Sequence, residues 1–226
     1  NMQLIREGNE RVLAARLADA KFFFDEDRKT SLADRVAKQL AVTFHQKLGS
    51  LHQKTQRVVA MAEHVAGQVG DEQLRQECRR AAELSKADLL TGIVGEFPTL
   101  QGIMGGEYAA HDGESSVVSA AIREQYMPRA MEGELPESLA GKVLSLADRL
   151  DSIAGFFLVG LVPSGFEDPF ALRRHFTAIV RILIESRLRV NLALAVQAAQ
   201  EALANQQVTA APQTGKGGAP DVIGFV

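Results

Sequence analysis

The stretch LADRLDSIAGFFLVGLVPSGFEDPFALRR, residues Leu146–Arg174, determines the fold class that this sequence predicts. From Leu139 to Phe157, apolar residues recur every three or four positions, which is typical of a helix with one buried face. The segment GLVPSG then predicts a turn, because Pro163 fixes its own φ angle and Gly165 tolerates conformations that other residues avoid. A helix, a turn and a second helix therefore follow one another here.

The same periodicity extends over most of the chain. Further helices are predicted at Ile5–Asp27, around Leu51–Val65, from Asp71 to about Val94, and from Asp168-Pro169 to about Ile184. In the last of these, Asp168 can cap free amides and Pro169 suits a first helical turn. No convincing alternating strand pattern is found, so the sequence predicts an all-α fold.

Composition excludes several classes of protein. The chain has 226 residues, 46% of them apolar, and a net charge of −3, so a uniformly basic nucleic-acid coat is excluded while a local basic face is not. Cys78 is the only cysteine, which excludes an internal disulfide and a cysteine zinc cluster and favours a reducing cytoplasm. No apolar run is long enough to cross a membrane.

Both ends of the sequence suggest a part of a longer chain, since it begins with Asn1 and finishes with an apolar DVIGFV run. Residues 205–220 are rich in Gln, Gly and Pro and lack periodicity, which predicts a linker or flexible loop. The expected organisation is a helical lead-in at 1–40, a helical domain at 41–204, that linker, and the start of another domain at 221–226.

Two motifs have both a chemical and a structural interpretation. His111-Asp112 could ligate a metal, but the pair lacks the additional ligands that a metal needs, and a helix end closed by Gly113 is the simpler prediction. The glycines at 102, 105 and 106 lack the strand, Lys and Ser/Thr of a phosphate loop. Close helix packing is therefore the favoured use of these glycines.

The clearest charge pattern lies late in the chain. Five arginines fall between positions 173 and 189, against the single acid Glu185: Arg173, Arg174, Arg181, Arg187 and Arg189. A planar guanidinium on a helix suits phosphate oxygens. An ordinary solvated face, with partners in neighbouring helices, remains the alternative interpretation.

Four long segments resemble one known family: GNERVLAARLADAKFFFDEDRKTSLADRV, FHQKLGSLHQKTQRV, KADLLTGIVGEFPTLQGIMGGEYAAHDGE and the stretch quoted first. In that order they resemble the beta subunit of the bacterial-type glycyl-tRNA synthetase. The resemblance implies a cytoplasmic alpha-two, beta-two complex in which the alpha subunit catalyses aminoacylation with ATP and magnesium. It further implies that the beta subunit binds tRNA(Gly), with no role in DNA or membrane binding, and that an anticodon-binding domain follows.

The central part of that family is similar to a helical HD domain, the fold of metal-dependent phosphohydrolases. The resemblance aligns Lys54 with the first metal-binding histidine, Ala87-Asp88 with the His-Asp pair, and Asp148 with the last ligand. A protonated lysine cannot ligate a metal. We therefore expect a degenerate pocket without metal or hydrolase activity, while a rearranged site that recruits His111 and Asp112 is the alternative.

Charge placement predicts which residues face RNA. Arg173 and Arg174 should emerge at the first turn of a helix, where free amides would add to their attraction for phosphate. Arg181 and His175 complete this set, and a second set is Lys47, Lys54 and Arg57. A structural scaffold that binds the alpha subunit through its arginine helix remains an alternative, because arginine is enriched at protein and RNA surfaces alike.

Overall fold

The computed structural model describes residues 2–210, which form ten α-helices, three 3-10 helices and one two-stranded antiparallel sheet. The helices are α1 Met2–Asp27, α2 Leu32–Val36, α3 Leu51–Val69, α4 Glu72–Leu84, α5 Gly92–Glu96, α6 Ile103–His111, α7 Ser116–Glu124, α8 Leu139–Leu158, α9 Leu172–Glu185 and α10 Leu192–Asn205. The strands are β1 Thr43–His45 and β2 Gly49–Ser50, and the 3-10 helices are Ala37–Ala41, Ala87–Leu90 and Pro98–Leu100. None of these helices is long and apolar enough to span a bilayer.

Helix α8 is the centre of the fold. It packs against α3, α4, α7, α9 and α10, and every residue from Val143 to Phe157 is buried. The sequence pattern predicted one buried face, but neighbours cover the helix on all sides. Its polar residues are therefore inside the protein, where each needs a hydrogen-bonding or charged partner.

Buried Asp27, the last residue of α1, joins that helix to the rest of the molecule. Its carboxylate accepts hydrogen bonds from the amides of Gly92 and Ile93, at 2.8 and 2.9 Å, and from the Tyr108 hydroxyl at 3.2 Å. These are the first amides of α5, which would otherwise lack partners. One buried carboxylate thus holds α1, α5 and α6 together.

A short hairpin leads into α3. Strands β1 and β2 pair antiparallel, and Gly49, the first residue of β2, has a φ of +88°, a value that disfavours other residues. Ser50 and Gln53 then form a reciprocal capping box at the start of α3. The hairpin is too short to give an alternating pattern, which explains why no strand was predicted.

The structure confirms the all-α class and corrects several boundaries. The helix predicted from Asp71 to about Val94 ends at Leu84, and a turn, the 3-10 helix Ala87–Leu90 and α5 follow it. The helix predicted from Asp168 begins at Leu172. Helix α6 ends at His111, and Gly113 follows with a φ of +87°, as predicted. The HD resemblance and the domain boundaries stay predictions, and residues 211–226 lie outside the described residues.

The paired glycines of α6 are used for packing. A Cβ atom at Gly106 would lie 2.8 Å from the Ser119 carbonyl oxygen and 2.9 Å from the Arg123 Cβ, both on α7. A Cβ at Gly105 would lie 2.8 Å from Ile122. Such distances are too short for a real contact, so the missing side chains allow α6 and α7 to approach closely.

Gly106→Ala should lower the free energy of unfolding by roughly 1–3 kcal/mol, because the added methyl group forces the two helices apart. Gly67→Ala is the matched control, since Gly67 is exposed in α3 and a Cβ there meets nothing within 4 Å. The control should be neutral or stabilising by up to about 1 kcal/mol. Urea unfolding measures both changes, and equal effects at the two positions would contradict this packing.

Candidate functional site

Lys54 of α3 extends its ammonium group between two carboxylates of α8. Its Nζ atom lies 3.0 Å from Asp148 Oδ1 and 3.0 Å from Asp151 Oδ2, and it donates to the Ser152 hydroxyl at 2.9 Å. It also donates to the Asp151 carboxylate and to the backbone carbonyl of Asp148, and it forms an ion pair with Asp148 Oδ1. All three charged residues are buried, which makes the Coulombic attraction strong and the cost of losing a partner high.

Arg57, one turn further along α3, extends this network. Its Nε atom donates to Asp151 Oδ1 at 2.6 Å, and its terminal nitrogen donates to the Leu48 carbonyl at 3.2 Å and to Gln206 at 2.6 Å. The guanidinium therefore connects α8 with the β hairpin and with the end of α10. Arg57 is 1% exposed, which makes it a structural cation of the core.

Lys86 adds a third buried cation. Its Nζ atom lies 3.1 Å from Asp148 Oδ2, donates to Gln125 at 2.9 Å and sits 4.3 Å from the centre of the Tyr126 ring. Burial alone would raise the pKa of Asp148, but the nearby ammonium groups of Lys54 and Lys86 outweigh it and hold that pKa well below its ordinary value. Asp148 therefore stays ionised.

Asp88 has a different environment from Asp148. Its Oδ2 atom accepts a 2.6 Å hydrogen bond from the Gly102 amide, and burial raises the pKa of this carboxyl above its ordinary value despite that bond. The adjacent Ala87 is also fully buried. The carboxyl group thus fixes the turn that precedes α6. It also lies beside Gly105, where α6 packs closely against α7.

The His111-Asp112 pair also has structural partners. Asp112 accepts a 2.7 Å hydrogen bond from the Leu32 amide at the start of α2, and His111 Nδ1 lies 3.1 Å from a terminal nitrogen of Arg28. The pair therefore holds α6 against the lead-in segment. Among residues 2–210, no group of three or more His, Cys, Asp or Glu side chains could hold a metal ion.

The predicted RNA-facing arginines of α9 have different environments in the structure. Arg173 and Arg174 are exposed on the first turn of α9 and have no acidic partner within residues 2–210. Arg181 donates to the carbonyls of Met131 and Gly133, at 2.6 and 3.0 Å, and pairs with Glu185. Arg181 therefore fastens the loop before α8 to α9.

Two expectations about this region are corrected. The amides at the start of α9 are not free, because Asp168 accepts from Leu172 at 2.7 Å and from Arg173 at 3.0 Å. The second RNA-facing set also changes: Lys54 and Arg57 are buried in the ion network, and Lys47 is exposed but donates to the Val159 carbonyl at 3.3 Å. Sequence alone did not distinguish a buried cation from a solvated one.

His175 faces inward from α9. It lines two adjoining cavities together with Asp148 and Tyr126, and its Nδ1 atom has no hydrogen-bond partner within residues 2–210. Burial lowers the pKa of His175 to about 4. The imidazole is therefore neutral near pH 7, where a cationic contact with RNA phosphate is not available to it.

Several residues of the site were not found from the sequence. They are Asp151, Lys86, Gln125, Tyr126 and Arg129. The spacing of Asp148 and Asp151 puts both on neighbouring positions of one helix face, which was a usable signal. The position of Lys86 depends on the turn between α4 and α5, which no local pattern specifies.

Comparison with known proteins gives consistent results. The family described as "Glycyl-tRNA synthetase beta subunit" matches residues 1–218. Relatives named glycine–tRNA ligase beta subunit include that of Janthinobacterium sp. (strain Marseille), 50% identical over 86% of this chain, and that of Streptococcus uberis, 54% identical over 78%. The chain spans only 27% and 26% of the length of these two relatives.

Lys54→Met should lower the free energy of unfolding by roughly 3–5 kcal/mol, because it removes the buried cation that contacts both Asp148 and Asp151. Adding Asp148→Asn should restore part of the loss. Lys38→Met, at an exposed lysine, should change stability by less than about 0.5 kcal/mol. Urea unfolding measures these three variants and Asp148→Asn alone, and a double variant as unstable as the sum of its two single changes would contradict the coupling.

His175 makes stability depend on pH. Because its folded pKa of about 4 lies below its unfolded value of roughly 6.5, its contribution is complete above pH 6.5 and is lost as the pH falls toward 4. Wild type should therefore lose about 2–3 kcal/mol more than His175→Gln between pH 7 and pH 4.5. Unfolding measured at both pH values tests this, and parallel losses in the two proteins would contradict it.

Proposed function

We propose that this chain, which belongs to the glycyl-tRNA synthetase beta subunit family, helps a glycine–tRNA ligase to bind and position tRNA(Gly) beside the alpha subunit. The family match over residues 1–218 is the observation that carries this proposal. The chain itself is not catalytic in this account, and ATP and magnesium act at the alpha subunit, in the cytoplasm.

Arg173 and Arg174 are the residues we propose for phosphate contact. They are adjacent, exposed and without acidic neighbours within pairing distance in residues 2–210. Guanidinium groups in this situation can give all their donors to phosphate oxygens. Arg181, His175 and Arg57 are not part of this proposed contact, because their polar groups face or bond to the protein interior.

The side chains of Arg173 and Arg174 must supply nearly all of the attraction for a phosphate group. Asp168 already satisfies two amides at the start of α9, and its negative charge offsets the positive end of that helix. A phosphate would therefore be bound by the arginines and not by the backbone. This arrangement should give binding that falls steeply with salt.

The absence of hydrolase chemistry is also a proposal, and Lys54 is its support. The ammonium group pairs with Asp148, the last of the ligands that the HD resemblance implies, and with the neighbouring Asp151. Lys86 pairs with the other oxygen of Asp148. A metal entering this position would meet two positive charges at short range, which opposes its binding.

Arg173→Gln and Arg174→Gln should each weaken tRNA(Gly) binding to the assembled enzyme and flatten its salt dependence by roughly one unit of slope. The measurement is tRNA affinity at several salt concentrations. Arg75→Gln is the control, since it removes an exposed arginine of α4 that pairs with Glu63 and Glu72, and it should leave the slope unchanged.

Two outcomes would redirect this proposal. Unchanged affinity and slope in both α9 variants would show that these arginines do not contact RNA. Variants that dissociate the alpha subunit, but bind tRNA normally once assembly is forced at high concentration, would instead favour the scaffold function. Mass measurement of the complex separates the two cases.

A further inference from the structure

Two cavities meet beside the buried ion network. One has a volume of about 290 Å³ and the other about 320 Å³, at the small end of the range for sites that bind small molecules. Both are lined by Asp148, Tyr126 and His175. The two cavities therefore adjoin between α8 and the start of α9, and we name the first the inner chamber and the second the outer chamber.

The inner chamber has an aromatic wall. Phe156 and Phe170 lie parallel with ring centres 4.1 Å apart, and Phe44 packs 6.1 Å from Phe156. Leu51 and Leu89 complete the apolar lining. These rings are held by one another and by His45, whose ring meets Phe156 and Phe170 edge-on, so the wall is suited to stacking a flat ring.

The ion network behind this chamber has more positive than negative charge. Lys54, Arg57 and Lys86 face only the two carboxylates of Asp148 and Asp151. Arg149, which lines the outer chamber, donates only to carbonyl and hydroxyl oxygens, among them the carbonyls of Tyr126 and Pro128. His175 is neutral and Asp88 has a raised pKa, so neither reverses the excess. The positive charge therefore favours an anionic group in the outer chamber, on the side of Arg149.

The outer chamber presents two arginines at the protein surface. Arg129 is oriented by hydrogen bonds to the carbonyls of Gln101, at 2.7 Å, and Thr99, at 3.4 Å. Arg174 is exposed and lines the same chamber. A pair of guanidinium groups at the mouth of a cavity suits a phosphate group, which accepts from both.

One polar atom in the wall shared by the chambers, His175 Nδ1, has no hydrogen-bond partner within residues 2–210. Asp148 Oδ1, by contrast, has the Lys54 ammonium group 3.0 Å away. A buried polar atom without a partner is costly, and a ligand hydroxyl, which can donate or accept, would relieve that cost. The shared wall thus suits a sugar, lying between an aromatic chamber and a phosphate-binding mouth.

We propose that the joined cavities bind one nucleotide. The base stacks in the inner chamber, the ribose hydroxyls reach Asp148 and His175, and the phosphate lies between Arg129 and Arg174. The nucleotide is either a free mononucleotide or an unpaired nucleotide of an RNA. For the second source, this inference rests on the proposed function, because Arg174 would then serve both the cavity and the RNA backbone.

The test uses the full-length beta subunit without the alpha subunit, so that no ATP site interferes. Binding of CMP, AMP, cytidine, inorganic phosphate, and tRNA with or without its unpaired 3′ nucleotides is measured by calorimetry. Phe170→Leu should weaken nucleotide binding by roughly tenfold, since stacking on an aromatic side chain contributes about 1–3 kcal/mol per base. Phe166→Leu, in the same loop but fully exposed, should have no effect.

Arg174→Gln, a surface change that does not threaten folding, should weaken CMP but not cytidine. If mononucleotides bind and are weakened by Phe170→Leu and Arg174→Gln, the ligand is a free nucleotide. If only tRNA with its unpaired 3′ nucleotides binds and is weakened in this way, the ligand is a nucleotide of RNA. The inference would be overturned if Phe170→Leu left the affinity for every probe unchanged. It would also be overturned if inorganic phosphate alone bound as tightly as CMP. Arg173→Gln separates this inference from the proposed function. Arg173 lies outside the cavity, so its substitution reports only on contact with tRNA phosphate.

Discussion

The ion contact between Lys54 of α3 and the two carboxylates of α8 is the constraint on which the rest of this structure depends. A helix buried on every side cannot contain aspartates unless cations from other helices reach them. Lys54, Arg57 and Lys86 meet that requirement from α3 and from the turn after α4. The same residues therefore fix the packing of the central helices and set the charge of the cavity beside them.

This charge links the core to the proposed function. A pocket with more buried cations than carboxylates opposes a divalent metal and favours an anion. Arg129 and Arg174 extend the positive potential to the surface, where Arg173 continues it along α9. Interior and surface thus both favour an anionic ligand. At the surface its contacts would be with side chains, because Asp168 already occupies two amides at the start of α9.

Sequence periodicity was sufficient for the helical class, because amphipathic stripes such as that of α8 are local patterns. The family resemblance, and not periodicity, identified Lys54, Asp88 and Asp148. Periodicity failed where burial depends on distant packing: Arg57 looks like a surface cation until α8 and α10 cover it, and Lys86 meets Asp148 only after the chain turns beyond α4. The sequence predicted that Asp168 caps a helix, but it placed the start of that helix three residues too early. Asp168 accepts instead from the amides of Leu172 and Arg173.

The central claim is that an ammonium group occupies the position between the α8 carboxylates and excludes a metal from it. Crystals of the protein grown or soaked in manganese, with anomalous diffraction recorded, test that claim most directly. We predict no anomalous peak within coordinating distance of Asp148, with Lys54 still paired to Asp148 and Asp151. A fully occupied manganese ion coordinated by Asp148, with Lys54 displaced, would contradict it.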